Sequence, residues 1–427
     1  MACRTTVAAP RIFALASGLL WALHPLNSMP VVYSYQRMEI LMAIFFLLAL
    51  LALLRAGREG DGWLVVAGLA AVFSYFSKEV SVLLPLAMLL CDRLFNFGSV
   101  RELLRNRWPL YGFLFAVWVA GGIWFLSGAR ASELSVGGPL STSFGYFKAQ
   151  CREVLNYLGL VFYPVDLVFF RTPRITQSLA GWLPHLLVLG MVFYAVFRAG
   201  MEDGRRWIWL AGSVFVLVLL PTSSLIPVPL EPAAEMRMYL PSAAVVVLVL
   251  GAFVTACNRL DLGAEPRVIC IGLVCVLFSV MTFKRSAAYR SRVAIWSDTV
   301  GKEPHNQKAW VNLGAGLLAA GDAKGALVAA DSVEALHTRL GVGAPYMAPW
   351  IRGMAALQLR KFEVAEEKFR KVLETDADSA GAWLGLAEAL RGQKRFEDAL
   401  LALDGAPSEP AVVSMRSELK EQIKAPD

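Results

Sequence analysis

The fold of this chain is decided by the stretch PRVICIGLVCVLFSVMTF at residues 266–283 and the basic, aromatic segment FKRSAAYRSRVAIW at 283–296 that follows it. The first run is apolar and about long enough to cross a bilayer as a helix. Polar sequence with helical periodicity then begins at KAWVNLG, residues 308–314. This change predicts a membrane domain at 1–283, a linker at 284–304 and a water-soluble helical array at 305–427.

The composition indicates a membrane protein. Hydrophobic residues make up 57% of the 427 positions and charged residues only 18%, which is too apolar for an ordinary soluble protein. The net charge of +7 is modest and is spread over loops that flank the apolar runs. We therefore take it as a signal of membrane topology and expect membrane lipid, and no nucleic acid, as a partner.

The metal-ligating residue types are scattered along the chain. The six cysteines include no CxxC pair, and no two of the four histidines stand at ligand spacing. Five of the cysteines lie in or beside apolar runs, where a thiol packs like a small apolar side chain. We expect no metal centre and no cofactor, and the sequence leaves a divalent cation open.

Eight further apolar segments precede the run at 266–283. They lie at 12–23, 38–54, 63–77, 80–95, 108–127, 182–198, 207–226 and 238–256. Together they predict an all-α membrane body of about nine spans. The segment Tyr146–Phe170 is only moderately apolar and carries four internal charges, so we expect it to lie at the interface or to re-enter without crossing.

Arginine clusters in the connections indicate which side each loop faces. The clusters are Arg55 with Arg58, Arg93 with Arg101, Arg105 and Arg107, Arg198 with Arg205 and Arg206, and Arg259 with Arg267. Nine spans with the N-terminus inside place all four in the cytoplasm and the chain after Lys284 outside. A ten-span alternative exposes two clusters, although the four cations at 284–292 favour the cytoplasm and oppose the nine-span arrangement.

The soluble part contains an internal repeat. Trp310, Leu313, Gly314, Leu317 and Ala326 recur as Trp383, Leu386, Ala387, Leu390 and Ala399, and Gly353, Ala356, Ala365 and Phe369 fit a middle unit. This is the spacing of the 34-residue tetratricopeptide repeat. It predicts an α-solenoid of about three repeats with a polar cap at 411–424, whose concave groove binds a protein or peptide.

Four segments, taken in order, carry a family resemblance. They are HPLNSMPVVYSYQRMEILMAIFFLLAL at 24–50, YFSKEVSVLLPLAMLLCDRLF at 75–95, EMRMYLPSAAVVVLVL at 235–250 and the linker WSDTV at 296–300. Followed by tetratricopeptide repeats, they resemble the transmembrane and tetratricopeptide-repeat O-mannosyltransferase family and its bacterial relatives. The high use of Ala, Gly and Arg also suggests a bacterial protein of the plasma membrane.

The resemblance implies a GT-C-like glycosyltransferase. Such enzymes transfer a sugar, typically mannose, from a polyprenyl-phosphate donor to a protein hydroxyl at the extracytoplasmic face, and the repeats would bind the acceptor. Family members also have N-terminal spans and an external loop with an acidic motif. Ile12 falls at about their third span, so we expect this chain to lack those parts and the catalytic carboxylate they supply.

Candidate site residues lie at the external ends of the apolar runs, where an ionisable group is often functional. Catalytic candidates are Glu39 and Glu235; substrate-binding candidates are Arg37, Lys78, Glu79, Arg237, His24 and Asp166. A carboxylate can act as general base, and cations can stabilise a phosphate leaving group. Structural roles stay open: the arginines can anchor at lipid headgroups, Lys78 can pair with Glu79, and His24 can cap a helix.

Two functions follow from the sequence. The first is an integral membrane glycosyltransferase. The second is a catalytically inactive membrane scaffold whose repeats recruit proteins for envelope or polysaccharide assembly. Transport is a weaker alternative because the spans lack charges near the middle of the membrane.

Overall fold

The computed structural model describes residues 10–127, 143–172, 178–202, 204–221, 233–341 and 344–424, and within these ranges the chain is helical with no strand. The chain divides into two compact units, Met1–Ala287 and Ala288–Asp427. This confirms the all-α class. The division falls inside the segment 284–304 that the sequence analysis assigned to a linker, and residues Arg292–Lys302 of that segment form a helix.

The first unit contains eleven helices in its described residues. They are α1 (Pro10–Ala22), α2 (Ser28–Val32), α3 (Arg37–Glu59), α4 (Gly62–Ser77), α5 (Leu84–Phe95), α6 (Val100–Ser127), α7 (Ser143–Phe162), α8 (Leu179–Gly200), α9 (Arg206–Leu220), α10 (Tyr239–Arg259) and α11 (Ala264–Ala287). Single 3₁₀ turns lie at Pro25–Asn27, Ser34–Gln36, Glu79–Leu83 and Glu235–Met238. Each of the nine predicted apolar segments therefore falls largely on helix.

Four helical segments in the described part of the chain are long and apolar enough to cross a membrane: Ser34–Glu59, Leu179–Gly200, Glu235–Arg259 and Ala264–Arg290. The pair Pro10–Ala22 and Pro25–Val32, bent by 57°, adds a fifth if it counts as one span. Gly62–Ser77 and Arg206–Leu220 are apolar but shorter. The nine-span count and its orientation stay predictions.

Small residues let α3 and α4 pack closely. Ala43, Ala49 and Ala52 on α3 and Ala67 and Ala70 on α4 are all almost fully buried. Backbones can approach closely across such surfaces, which is how helices associate where water provides no hydrophobic driving force. The Ser74 hydroxyl of α4 donates a hydrogen bond of 3.0 Å to the Met42 carbonyl of α3. As a result the start of α3 and the end of α4 lie side by side.

A buried polar link joins α3, α5 and α6 near the other end of the α3–α4 pair. Asp92 is fully buried and accepts hydrogen bonds from Asn96 Nδ2 (2.7 Å) and Tyr111 Oη (2.8 Å). Asn96 Nδ2 also donates to the Leu53 carbonyl at 3.1 Å. With these partners Asp92 stabilises the helix packing, since a buried carboxylate is tolerated when it is hydrogen-bonded.

The second unit is an array of antiparallel helices. They are α12 (Arg292–Lys302), α13 (Gln307–Ala319), α14 (Ala323–Leu340), α15 (Met347–Gln358), α16 (Phe362–Leu373), α17 (Ala380–Gly392), α18 (Phe396–Asp404) and α19 (Pro410–Lys424). The pairs α13–α14, α15–α16 and α17–α18 correspond to the three predicted repeats. A methyl group at Gly314 would lie 3.1 Å from Ile351 Cδ1, so the glycine allows neighbouring repeats to approach.

Candidate functional site

A buried ion pair joins the start of α3 to the end of α4. Glu39 lies in the first turn of α3, and Lys78 Nζ, just after α4, donates to its Oε1 atom. The side chains are only 3% and 11% exposed. A carboxylate at a helix N-terminus and a cation at a helix C-terminus are each favoured by the helix dipole. The two helix ends therefore stabilise the charges that the pair brings together.

Arg237 brings a second buried cation close to the Glu39–Lys78 ion pair. It lies in the turn Glu235–Met238 before α10 and is close enough to Glu39 for electrostatic attraction. Its Nη1 atom donates to Tyr146 Oη at 2.9 Å. Tyr157 Oη accepts a hydrogen bond of 2.8 Å from the Ala234 amide. Two tyrosines of α7 thus position the backbone and the guanidinium of the turn from one side.

Glu235 binds a different segment, the stretch of chain that follows α7. Its Oε1 atom accepts a hydrogen bond from the Val168 amide at 2.7 Å and one from Arg171 Nη2 at 3.4 Å. Arg171 Nη2 also donates to the Asp166 carbonyl at 2.8 Å. The Glu235 carboxylate, almost fully buried, therefore ties the chain after α7 to the turn before α10.

The other candidate residues are not members of this ion pair, although Glu79 directly follows Lys78. Arg37 and the Asp166 side chain are exposed, and Glu79 is exposed but near enough to Glu39 to repel it. His24 is buried and caps the turn Pro25–Asn27, because its Nδ1 atom accepts from the Leu26 amide at 3.1 Å. Its Nε2 atom contacts the Val161 carbonyl at 2.9 Å. The structure thus brings together Glu39, Lys78 and Arg237.

The buried α7 side chains near Arg237 were not among the residues predicted from the sequence. Tyr146, Glu153 and Tyr157 are all at most 2% exposed, and Asn156 Nδ2 contacts Glu153 Oε2 at 3.3 Å. Their separations of seven and four residues put all three on one face of a helix. That spacing was a signal for a buried polar stripe, which the charges of the segment obscured.

The arrangement has the chemistry of a phosphate site beside a carboxylate. Charge-assisted hydrogen bonds from Lys and Arg to an anion are about twice as strong as neutral ones. Preorganised cations of this kind stabilise negative charge that develops on a leaving group. Among the described residues, no group of three or more His, Cys, Asp or Glu side chains is placed to hold a metal ion.

Residues 8–124 match the family model of dolichyl-phosphate-mannose-protein mannosyltransferases, and residues 352–411 match a tetratricopeptide-repeat model. The chain is a mannosyltransferase-like membrane protein with tetratricopeptide repeats. The resemblance to the transmembrane and tetratricopeptide-repeat O-mannosyltransferase family is thereby confirmed. The matched part of this mannosyltransferase-like chain includes Glu39 and Lys78, and Arg237 lies beyond it.

A curated relative agrees with this assignment. The mannosyltransferase-like chain is 24% identical over 316 residues to the protein O-mannosyl-transferase F38B6.6 of Caenorhabditis elegans. The match covers 70% of this chain and 42% of the relative, so the chain spans less than half of that protein's length. Among solved structures, yeast Tom70 aligns over 85% of this chain and 86% of its own, at 12% identity and a TM-score of 0.28, which is too low to support an argument.

Proposed function

We propose that this protein transfers a sugar from a polyprenyl-phosphate donor to hydroxyl groups of an acceptor protein. On the basis of the family resemblance, the proposed sugar is mannose. The proposed site of reaction is the extracytoplasmic face of a bacterial plasma membrane. The observation that carries the proposal is the buried grouping of Glu39, Lys78 and Arg237 at the ends of apolar helices. Such charges are costly in a membrane protein and mark substrate sites more often than elsewhere.

The two cations would bind the phosphate of the donor. As the bond between the sugar C1 atom and the phosphate oxygen breaks, negative charge grows on the departing polyprenyl phosphate. Lys78 and Arg237 would stabilise that charge. Lys78 is paired with Glu39 in the structure, so an incoming phosphate would compete with the carboxylate for the ammonium group.

Glu39 is the better placed of the two proposed bases. Once the phosphate engages Lys78, the Glu39 carboxylate would accept the proton of the acceptor hydroxyl while the hydroxyl oxygen forms the new bond to C1. Glu235 is already engaged by the Val168 amide and Arg171, which suits a positioning role. We assign Glu235 to holding the chain after α7 against the turn that carries Arg237.

The repeats would bind the acceptor protein. Tetratricopeptide arrays usually bind peptides in a concave groove and carry no catalysis of their own. Binding a remote part of the acceptor would raise the local concentration of its hydroxyl groups near the membrane unit. This division of labour predicts that loss of the repeats weakens the apparent affinity for acceptor protein and leaves donor binding intact.

The test is donor binding and sugar transfer by the purified full-length protein, with a polyprenyl-phosphate mannose and an acceptor protein. Arg237→Ala should weaken donor binding by about 10- to 100-fold, because it removes a charged partner of the phosphate. Arg37→Ala, which changes an exposed arginine, is the matched control and should have little effect. Unchanged donor binding in Arg237→Ala would remove the phosphate site from the proposal.

Glu39→Gln separates chemistry from binding. It keeps the size and polarity of the side chain and removes the base, so transfer should fall while donor binding is retained. Glu235→Gln serves as comparison and should keep most of the transfer rate. Equal loss in both variants would contradict the assignment of Glu39 as base.

A second candidate function is that of a catalytically inactive scaffold. It is supported because both carboxylates proposed for catalysis already bind groups of the protein itself. Glu39 is paired with Lys78, and Glu235 with Val168 and Arg171. For a scaffold, the wild-type protein would bind partner proteins through its repeats and would transfer no sugar with any polyprenyl-phosphate donor.

A further inference from the structure

Gln36 is a buried amide whose oxygen has no hydrogen-bond partner among the described residues. It ends the turn Ser34–Gln36 just before α3, and only 4% of the residue is exposed. Within the described part of the chain, no group donates a hydrogen bond to its Oε1 atom. Its backbone amide is satisfied by the Tyr33 carbonyl, so the unmet requirement belongs to the side chain alone.

Gln36 is the N-cap residue of α3, the helix whose first turn carries Glu39. Gln36 and Glu39 are three residues apart across the first turn of α3, a spacing that makes side chains neighbours on a helix. Both residues are buried, whereas Arg37 between them is exposed. The unpartnered oxygen therefore belongs to a residue one helical turn before the carboxylate that Lys78 binds and Arg237 attracts.

A buried acceptor without a donor lowers stability, and replacing it by an apolar side chain of similar shape is neutral or stabilising. Packing alone would thus be served better by leucine at this position. Strained or unsatisfied groups of this kind concentrate at functional sites, where a ligand meets the requirement. Gln36 fits that description because of its position.

The chemistry of the donor selects the part that Gln36 would meet. A polyprenyl chain has no polar hydrogen, and the oxygens of an ionised phosphodiester accept hydrogen bonds but cannot donate them. Sugar hydroxyl groups can donate. We propose that Gln36 binds a hydroxyl group of the transferred sugar and so contributes to the choice of sugar. This inference rests on the proposed function, which supplies the polyprenyl-phosphate sugar.

The experiment compares Gln36→Leu with the wild-type full-length protein in equilibrium binding of polyprenyl-phosphate mannose, its monodeoxy-mannose analogues, and polyprenyl phosphate without sugar. We expect the variant to bind the mannosyl donor about 10-fold more weakly and the sugar-free lipid equally well. One deoxy analogue should bind the wild type as weakly as the full donor binds the variant. That same analogue should bind Gln36→Leu with the same affinity as it binds the wild type.

Stability provides an independent readout. Gln36→Leu should keep or raise the melting temperature, because it removes a buried unsatisfied group. The control is Ser74→Ala, which removes a fully buried hydroxyl that is hydrogen-bonded to Met42 and should lower stability with no sugar-specific effect. If Gln36→Leu weakens the sugar-free lipid as much as the mannosyl donor, the residue is structural and the inference is wrong.

The two proposals fail in different ways. If the wild type binds no polyprenyl-phosphate sugar, the proposed function itself is contradicted. If the wild type binds the donor and every deoxy analogue responds equally in wild type and Gln36→Leu, only the role of Gln36 is contradicted. Because binding is measured without acceptor protein, an acceptor hydroxyl as the partner of Gln36 would give this second result.

Discussion

At the scale of single residues, the Lys78–Glu39 pair explains how a carboxylate and an ammonium group can be buried in an apolar body. Each charge alone would have a large desolvation penalty, and the partner offsets part of it. The pair also depends on the close α3–α4 contact made by small residues. The pairing partner could not be read from local sequence, in which Glu79 is the immediate neighbour of Lys78.

Removing one member of this pair should destabilise the protein strongly. Lys78→Met leaves Glu39 buried without its cation, which typically costs roughly 3–5 kcal/mol. The double variant Lys78→Met with Glu39→Met removes both charges and should recover most of that loss. Unfolding in mild detergent measures the free energies. Additive losses in the double variant would mean that the two residues do not interact.

The three charged residues that the structure brings together stand where charge interrupts an apolar run of the sequence. Glu39, Lys78 and Arg237 were found in this way, since ionisable groups are conspicuous against such a background. Gln36 and the α7 tyrosines were not, because an uncharged polar or aromatic residue beside a span is as common in packing as in binding. The burial and the hydrogen bonds of these residues become visible only in the folded chain.

At the scale of helices, Phe369 of α16 acts as a wedge between two neighbouring helices. It is fully buried, and methyl groups built on Gly353 and Gly385 would lie 2.9 and 2.4 Å from its Cζ atom. The glycines at these positions allow α15 and α17 to approach the ring. The repeat pattern in the sequence included Gly353 and Phe369 but gave no reason for Gly385, whose role depends on the neighbouring repeat.

Gly385→Ala should therefore destabilise the repeat array. Overpacking of a filled core typically costs about 1–3 kcal/mol, and Phe369→Leu in the same chain should relieve part of it. Gly301→Ala is the control, since a methyl group there meets no atom within 4 Å and alanine favours a helix by roughly 0.5–1 kcal/mol. Urea unfolding of a fragment covering residues 288–427 gives both values. Equal effects of the two substitutions would contradict the wedge.

Glu366 connects α16 to the turn between α17 and α18 and should make the array sensitive to acid. Burial by itself raises the pKa of Glu366, but hydrogen bonds from Gln393 (2.8 Å) and Arg370 (2.9 Å) and the charge of Arg395 outweigh it, so the pKa lies below its ordinary value of 4.5. A lowered folded-state pKa adds stability above pH 4.5 that is lost as the pH falls below it.

The comparison of Glu366→Gln with wild type at two pH values tests this connection. The variant should be less stable at pH 7, and the difference should shrink as the pH falls below about 4.5, where the wild-type carboxylate takes up a proton. Glu421→Gln, an exposed position on α19, should change stability by less than about 0.5 kcal/mol at either pH. If the stability difference between Glu366→Gln and the wild type instead grew as the pH fell, the predicted lowering of the Glu366 pKa would be wrong.

At the scale of the whole molecule, the division into an apolar membrane part and a water-soluble repeat part could be predicted from the sequence. Apolar runs and a repeat spacing are properties of long segments and do not depend on single contacts. The helical segments at 12–23, 38–54 and 238–256 are examples, each lying on a helix of the structure. The number of spans was less accessible, since α4 and α9 are short and α7 carries charges inside an apolar helix. Length and hydropathy alone do not decide such cases.

The orientation of the repeat unit depends on whether α7 crosses the membrane. Arg198, Arg205 and Arg206 follow α8, and the positive-inside rule places their loop in the cytoplasm. That assignment is consistent with nine spans, in which α7 lies at the interface or re-enters without crossing and the chain after Lys284 is external. The burial of Tyr146, Glu153 and Tyr157 agrees with a polar face of α7 turned toward protein.

Reporter fusions decide between the two arrangements. A phosphatase that is active only outside the cytoplasm should give signal when fused after Asp427 and none when inserted after Arg205. If α7 crosses, every later connection changes sides, so the two signals exchange and the repeats lie in the cytoplasm. The acceptor-binding role would then fail together with the topology, because repeats on the cytoplasmic side could not present a protein to Lys78 and Glu39 at the outer face. The turn with Arg237 follows α7 and would also change sides, which conflicts with the electrostatic attraction between Arg237 and Glu39 in the structure.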